Sequence, residues 1–344
     1  MTQTASPDFV DLAIIGAGPV GLFAAYYAGL RQMSVKILDS LDVLGGQLVT
    51  LYPEKYIYDV AGFPRVLAKD LVGNLTEQGM QYGAVACLGE TVTDLADLPG
   101  GGLLLRTSRT THRARAVVIT AGLGSFTPKK LPIANEAEFH HEGGGLHYFV
   151  KNLEQFRRKR VLVVGGGDSA VDWANMLHPL DAKVTLIHRR DGFRAHEDSV
   201  AKLRASPVDI KVFYELRAIE GADGRVRRAT IYDNRTNVDE VIDVDHVLVN
   251  IGFASSLGPI KNWGLDLEKN AIKVDSIMRT SRPGIYAAGD VCTYVGKLKL
   301  IVTGFGEAAI AVNFAKTFID PKAKAFPGHS SEMDSPVPTP AAGH

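Results

Sequence analysis

The ends of two strands carry the clearest chemistry in this sequence. Asp39 closes the strand Val35-Lys36-Ile37-Leu38. It lies about twenty residues beyond the glycine-rich turn Gly16-Ala17-Gly18-Pro19-Val20-Gly21. His188, Arg189 and Arg190 close a second strand, which follows a second turn, Gly165-Gly166-Gly167-Asp168-Ser169-Ala170. Each turn is entered from an apolar run, Leu12-Ala13-Ile14-Ile15 or Val161-Leu162-Val163-Val164. Glycines there permit a tight strand-to-helix turn and let a pyrophosphate reach the amides at the helix N-terminus. An acid at the second strand's end accepts a hydrogen bond from a free ribose 2′-hydroxyl, whereas arginines accommodate a 2′-phosphate. The first unit is therefore expected to take a dinucleotide with an unmodified ribose. The second is expected to take NADP through Gly165, Gly167, Asp168, Ser169, Ala170, His188, Arg189 and Arg190. One such turn is a weak signal; two in matched register with opposite charges are a strong one.

The elements that must hold these residues read as strand, turn, helix (Gly21 to Leu30) and strand, which is half of a doubly wound sheet. Leu44-Gly45-Gly46-Gln47-Leu48 reads as a loop. Leu67, Leu71, Leu75 and Met80 recur about one turn apart and predict an amphipathic helix. Short strands follow around Val85, Val92, Leu103 to Leu105 and Ala114 to Ala116, with a turn at Gly100-Gly101-Gly102. The second unit begins near Arg160 and runs through a strand-rich stretch from Ile210 to Val249. After it come Tyr286-Ala287-Ala288-Gly289-Asp290 and a helix from Gly304 to Phe318. This order predicts an insertion, with one domain at 1–122 and 253–344 and the other at 123–252. The crossings at Gly122-Leu123-Gly124 and Ile251-Gly252-Phe253 should form a two-stranded hinge. Residues 1–10 and the Pro-rich 335–344 are expected to be disordered.

The composition sets outer bounds. A chain of 344 residues suits two cores rather than one. Lys+Arg and Asp+Glu both number 38, which argues against a nucleic-acid binder. No run approaches the roughly 18 apolar residues of a membrane span, and Met1 to Pro7 does not read as a secretory signal, so a cytoplasmic protein is expected. Cys87 and Cys292 form no Cys-x-x-Cys pair, and no Cys/His spacing suggests a metal. Arg157-Arg158-Lys159-Arg160 reads either as a solvated patch or as a docking surface for an acidic partner.

Taken together, the sequence resembles the flavoprotein reductases related to thioredoxin reductase. The resemblance rests on both glycine turns with their strand ends, Gly45-Gly46-Gln47-Leu48, Thr120-Ala121-Gly122 and Ala287-Ala288-Gly289-Asp290-Val291. Where thioredoxin reductases carry a dithiol, this chain reads Gly145-Leu146-His147-Tyr148-Phe149-Val150. The segment Leu51-Tyr52-Pro53-Glu54-Lys55-Tyr56-Ile57-Tyr58-Asp59, with Val302 to Ala308 and Pro327 to Ser331, is similar to the thioredoxin-reductase-like ferredoxin–NADP reductases. That resemblance implies an α/β fold of two Rossmann-like, three-layer ββα domains, the NADP domain inserted into the FAD domain. It implies an enzyme that moves electrons between NADP(H) and ferredoxin, or a flavodoxin-like carrier, by way of FAD. It further implies FAD contacts at Gly16, Gly18, Gly21, Asp39, Gly46, Gln47, Tyr52, Val92, Phe126, Asp290 and Ser331, with Tyr52 and His329 stacking near the flavin, and a homodimer. No residue is expected to act as an obligate acid or base. A disulfide reductase and a flavin-based redox sensor stand as alternatives.

Overall fold

The computed structural model describes residues 9–150, 152–326 and 328. They form two compact units, Met1–Ser125 with Ser255–His344, and Phe126–Ala254. The connecting strands Ser125–Pro128 and Phe253–Ser256 pair with each other.

The first unit is built on parallel strands in the order Val85–Leu88, Val35–Asp39, Phe9–Ile15, Thr111–Ile119. Thr111–Ile119 is shared along one edge. Its first half pairs antiparallel with Leu103–Thr107, and its second half pairs parallel with Ile285–Ala287. Val92–Asp97 completes the antiparallel meander. Alternation along Phe9–Ile15 separates two cores, as strand geometry requires. Leu12 and Ile14 face a helical layer with Leu22, Leu71 and Val312, while Ala13 and Ile15 face the meander layer with Leu103, Leu105 and Trp263.

The helical layer explains its own composition. Helix Pro19–Leu30 places Ala24, Ala25 and Ala28 in one core with Ala308, Ala311 and Ala315 of helix Ile301–Ile319. Helix Ala68–Met80 approaches closely enough that a Cβ on Gly79 would stand 2.7 Å from the Leu22 carbonyl oxygen. Small residues are therefore a packing requirement here. Both outer helices begin a few residues earlier than glycine-averse propensity suggests, because Pro19 suits a first helical position and tertiary packing overrides the cost of Gly304. The segment read as a loop contains a short helix, Gln47–Leu51, launched by Gly45 and Gly46 at φ of +108° and +58°.

The second unit has a five-stranded parallel sheet in the order Leu146–His147, His246–Val249, Arg160–Val164, Lys183–His188, Asp209–Val212. An antiparallel sheet of Tyr214–Ala222, Arg225–Asp233 and Asp239–Asp243 joins it through one core. The whole is an α/β architecture with two Rossmann-like units. Among the described residues no helix is long and apolar enough to cross a membrane.

Candidate functional site

In the first unit the glycine turn is fixed by backbone proximity. Gly16 has φ +112°, and a Cβ there would lie 2.5 Å from the Thr120 carbonyl oxygen. A Cβ on Gly21 would lie 1.9 Å from the Gly16 carbonyl oxygen. Gly18 differs, since its Cβ would meet nothing within 4 Å. It also caps helix Pro19–Leu30 without any side-chain hydrogen bond, so no capping side chain takes up the N-terminal amides. Gly46 borders the same space, its Cβ position being 3.0 Å from the Gly18 Cα. An uncapped helix start beside two side-chain-free backbones fits an anionic pyrophosphate.

Asp39 closes the turn. Its carboxylate accepts from the Ala17 amide at 2.6 Å and the Leu41 amide at 2.8 Å. Burial raises its pKa above the ordinary carboxylate value, and the amides of Ala17, Leu41 and Ser40 work against that rise. Gln47 brings its side-chain nitrogen near Gly122, where a Cβ would stand 3.4 Å away. Tyr52 lies in the field of Asp290. Burial first, then the charges of Asp290 and Asp59, push its phenol up to about 12. Asp290 is itself raised by burial, offset by Lys299 and Lys297. Val92 is a core residue of the meander layer. Its strand starts beside Asp39, whose carbonyl accepts from the Glu90 amide at 2.8 Å. His329, Ser331 and the side chain of Phe126 lie outside the described residues.

The second unit holds a cavity of about 420 Å³ lined by Gly165, Gly166, Gly167, Arg189, Arg190 and Arg194, among others. None of the three arginines forms an ion pair among the described residues. The His188 ring lies under the glycine loop, 2.3 Å from where a Gly166 Cβ would be, and stacks on Phe193 with centroids 5.4 Å apart. Burial lowers its pKa, and the neighbouring arginines add to that. The arginine loop is tied to the glycine loop twice, by Arg194 N to Gly166 O at 2.7 Å and His196 N to Asp168 Oδ1 at 3.0 Å. Asp168 and Ser169 open the helix behind the loop, and Ala170 packs under Gly165. Asn250, also on the cavity wall, has a buried side-chain oxygen with no hydrogen-bond partner among the described residues. Guanidinium groups without ion pairs among the described residues, a helix start at Gly167 without a side-chain cap and a cavity against the glycine loop suit a phosphorylated dinucleotide.

Several features had no local sequence signal. Glu307 and Lys297 form a buried ion pair, with one oxygen 2.5 Å from the ammonium. A lone acid in the Gly/Ala-rich run Gly304 to Ala311 is the one hint of it. Cys87, Glu90 and His112 bring ligand-type atoms within 4.8 Å of one another. The Glu90 carboxylate is already engaged by His112 at 2.9 Å and the Thr107 hydroxyl at 2.8 Å. Of the basic run, Arg157 is taken up by Glu154, and Arg160 by Asp243 and Asp245.

His147, in the stretch that replaces a dithiol, pairs with His246 of the neighbouring strand, with His147 Nε2 and His246 Nδ1 at 2.9 Å. Burial, then the charges of His246 and His140, lower His147 from its ordinary 6.5 to about 4. His246 is lowered too, again chiefly by burial. Because the folded values lie below the unfolded ones, stability is complete above pH 6.5 and declines as pH falls from there toward 4. The upper bound from His147 is about 3 kcal/mol. Comparing thermal melts at pH 7.5, above that window, and at pH 5, inside it, His147→Gln should lose less stability between the two than the parent. Equal losses would show that the pair does not titrate on unfolding.

A family model described as pyridine nucleotide-disulphide oxidoreductase matches residues 10–311. A ferredoxin–NADP reductase from Geobacillus thermodenitrificans is 54% identical over 323 residues, 94% of this chain and 97% of that one. This chain belongs to the ferredoxin–NADP reductases of that family. Another member, from Halalkalibacterium halodurans, is 52% identical over 326 residues, 95% of this chain and 98% of its own. Among solved structures, thioredoxin reductase from Lactococcus lactis superimposes with a TM-score of 0.76 at 26% identity, covering 90% of this chain and 99% of that one. Thioredoxin reductase from T. acidophilum gives 0.78 at 27%, covering 92% and 100%. This ferredoxin–NADP reductase has the architecture of those enzymes without a dithiol. Cys292 is fully buried, its thiol pushed up to about 12 by burial and then by Glu307. Burial likewise raises Cys87.

Proposed function

We propose that this reductase carries electrons between NADP(H) and ferredoxin, or a flavodoxin-like carrier, with FAD in the first unit and NADPH in the second. The observation that carries the reading is the contrast between Asp39, closing one glycine turn, and three arginines without ion pairs among the described residues, lining the other. Bound FAD would supply the two-electron to one-electron conversion. The chain's own part is placement. Gly16, Gly18, Gly21 and Gly46 admit the pyrophosphate, Asp39 meets the adenosine ribose, and Gln47, Tyr52, Val92, Phe126, Asp290 and Ser331 surround the rest. Tyr52 and His329 cover the ring and limit solvent access to it. In the second unit Gly165, Gly167 and the helix start behind them hold the NADP pyrophosphate, while Arg189 and Arg190 hold the 2′-phosphate. Arg194 lies in the same cavity wall and serves as a third cation.

We also propose a homodimer working in a reducing cytoplasm. Tyr58 at 66% exposure and Phe63 at 39% support an apolar contact surface, and two unpaired cysteines support the compartment. Sedimentation analysis that returned a monomer would remove the dimer. The function is tested by recording the visible spectrum before and after NADPH, then supplying acceptors. Ferredoxin coupled to cytochrome c should sustain NADPH consumption, whereas thioredoxin with a disulfide reporter should stay at background. Substituting Cys87 and Cys292 together with serine should leave the ferredoxin rate largely intact. Robust thioredoxin reduction would mean that the electron path is wrong.

A further inference from the structure

The carboxylate of Glu307 is 3% exposed and saturated with donors. The Gly289 amide donates to Oε2 at 2.7 Å, and the Tyr294 hydroxyl donates to Oε1 at 2.6 Å. The Lys297 ammonium reaches both oxygens, at 2.5 and 2.6 Å, and the Cys292 thiol lies 3.7 Å from Oε2. Helix Ile301–Ile319, the segment Cys292 to Lys297 and the turn at Gly289 are thus gathered on one side chain. A buried ion pair is a poor source of stability compared with apolar packing, because desolvation offsets its attraction. What such a network supplies is one fixed arrangement of the segments it joins.

The segment most in need of fixing is the turn Gly289–Val291, which presents Asp290. Gly289 sits at φ +81°, and a Cβ there would meet Val20 at 3.2 Å, just beyond Gly18. A Gly304 Cβ would meet Val20 at 2.5 Å, so the turn and two helix starts converge on that residue. Asp290 forms no hydrogen bond of its own among the described residues, and it faces Tyr52 electrostatically. Its position is therefore set by the backbone that carries it. Lys299 and then Lys297, the latter held by Glu307, offset the burial cost of the Asp290 charge, while the Glu307 charge adds to that cost. The part Glu307 plays toward Asp290 is therefore placement rather than charge.

We infer that Glu307 is a positioning residue for the cofactor: through Gly289 and Lys297 it fixes where the Asp290 carboxylate meets the polyol and phosphate region of the dinucleotide. This rests on the reading that the first unit binds FAD. The test uses the full-length flavin-loaded protein and measures FAD release, the visible flavin spectrum and NADP⁺ binding in Glu307→Gln, Asp290→Asn and the double variant. Glu307→Gln should weaken FAD retention by about tenfold or more and shift the spectrum, with NADP⁺ binding unchanged. Added to Asp290→Asn, it should cost less than about twofold further, since both changes remove the same contact. A companion, Lys297→Met with Glu307→Gln, removes both charges at similar volume. It should melt near the parent yet release FAD as readily as Glu307→Gln. Parent-like FAD retention in the folded variants, or losses that multiply in the double variant, would overturn the inference and leave the function standing. A parent protein that binds no FAD would overturn both.

Discussion

Replacing Arg189 and Arg190 together with alanine will cut the preference for NADPH over NADH by about ten- to a hundredfold. The figure follows from the loss of charge-assisted hydrogen bonds worth about 1.5–3 kcal/mol in all. Both side chains line the second unit's cavity, and neither is committed to a carboxylate among the described residues. Nothing inside the fold should therefore be left unpaired when they are removed. The loss should appear in KM for NADPH, with KM for NADH little changed, because the contact is to a phosphate that NADH lacks. Arg194 remains in place through its backbone tie to Gly166 and should preserve a residual preference. Steady-state kinetics with both coenzymes decides the matter, and equal use of the two by the parent would sink the assignment.

The first glycine turn should separate binding from folding through two of its own members. Gly21→Ala places a Cβ 1.9 Å from the Gly16 carbonyl, where rigid backbone cannot yield. A destabilisation of about 3 kcal/mol or more is expected, and the protein should accumulate poorly. A Cβ at Gly18, the first atom that Gly18→Val adds, meets nothing within 4 Å, and the backbone φ of −71° suits any residue. That variant should fold within about 1 kcal/mol of the parent, the loss being a weaker helix cap. It should nonetheless hold FAD on the order of a hundredfold less tightly, because the side chain fills the space that a pyrophosphate needs. Absorbance of the purified variants, read beside their melting temperatures, checks both halves. A yellow Gly18→Val protein would place the cofactor elsewhere.

The legible part of this fold was the part whose causes are local. Gly16, Gly18, Gly21 and Asp39 announce a nucleotide unit because turn, helix start and strand end fall within one stretch of chain, and the same holds for Gly165 to Arg190. The illegible part depends on partners far away in sequence. Arg160 reads as part of a basic run until Asp245, 85 residues on, is seen to occupy it. Glu90 and His112 reach each other across an intervening hairpin, so no spacing rule could link them. Gly45 and Gly46 suggested a loop because glycine usually ends helices, yet here their left-handed backbone serves to start one. The roles of His329, Ser331 and Phe126 came from resemblance alone.

The interrupted layout of the first unit also sets an order of assembly on the ribosome. Residues 126–254 form a contiguous stretch with a core of their own, so that unit can close as soon as it has been synthesised. The outer unit cannot. Strand Ile285–Ala287 completes its central sheet, and helix Ile301–Ile319 covers the alanine face of Pro19–Leu30. Until both emerge, that face and the edge of Thr111–Ile119 stay bare, a long-range closure of the kind that slows folding and invites chaperones. Capture of the flavin is then a late event in biogenesis. A nascent chain released before residue 301 should be recovered with a protease-resistant inner unit and an exposed, degradable remainder.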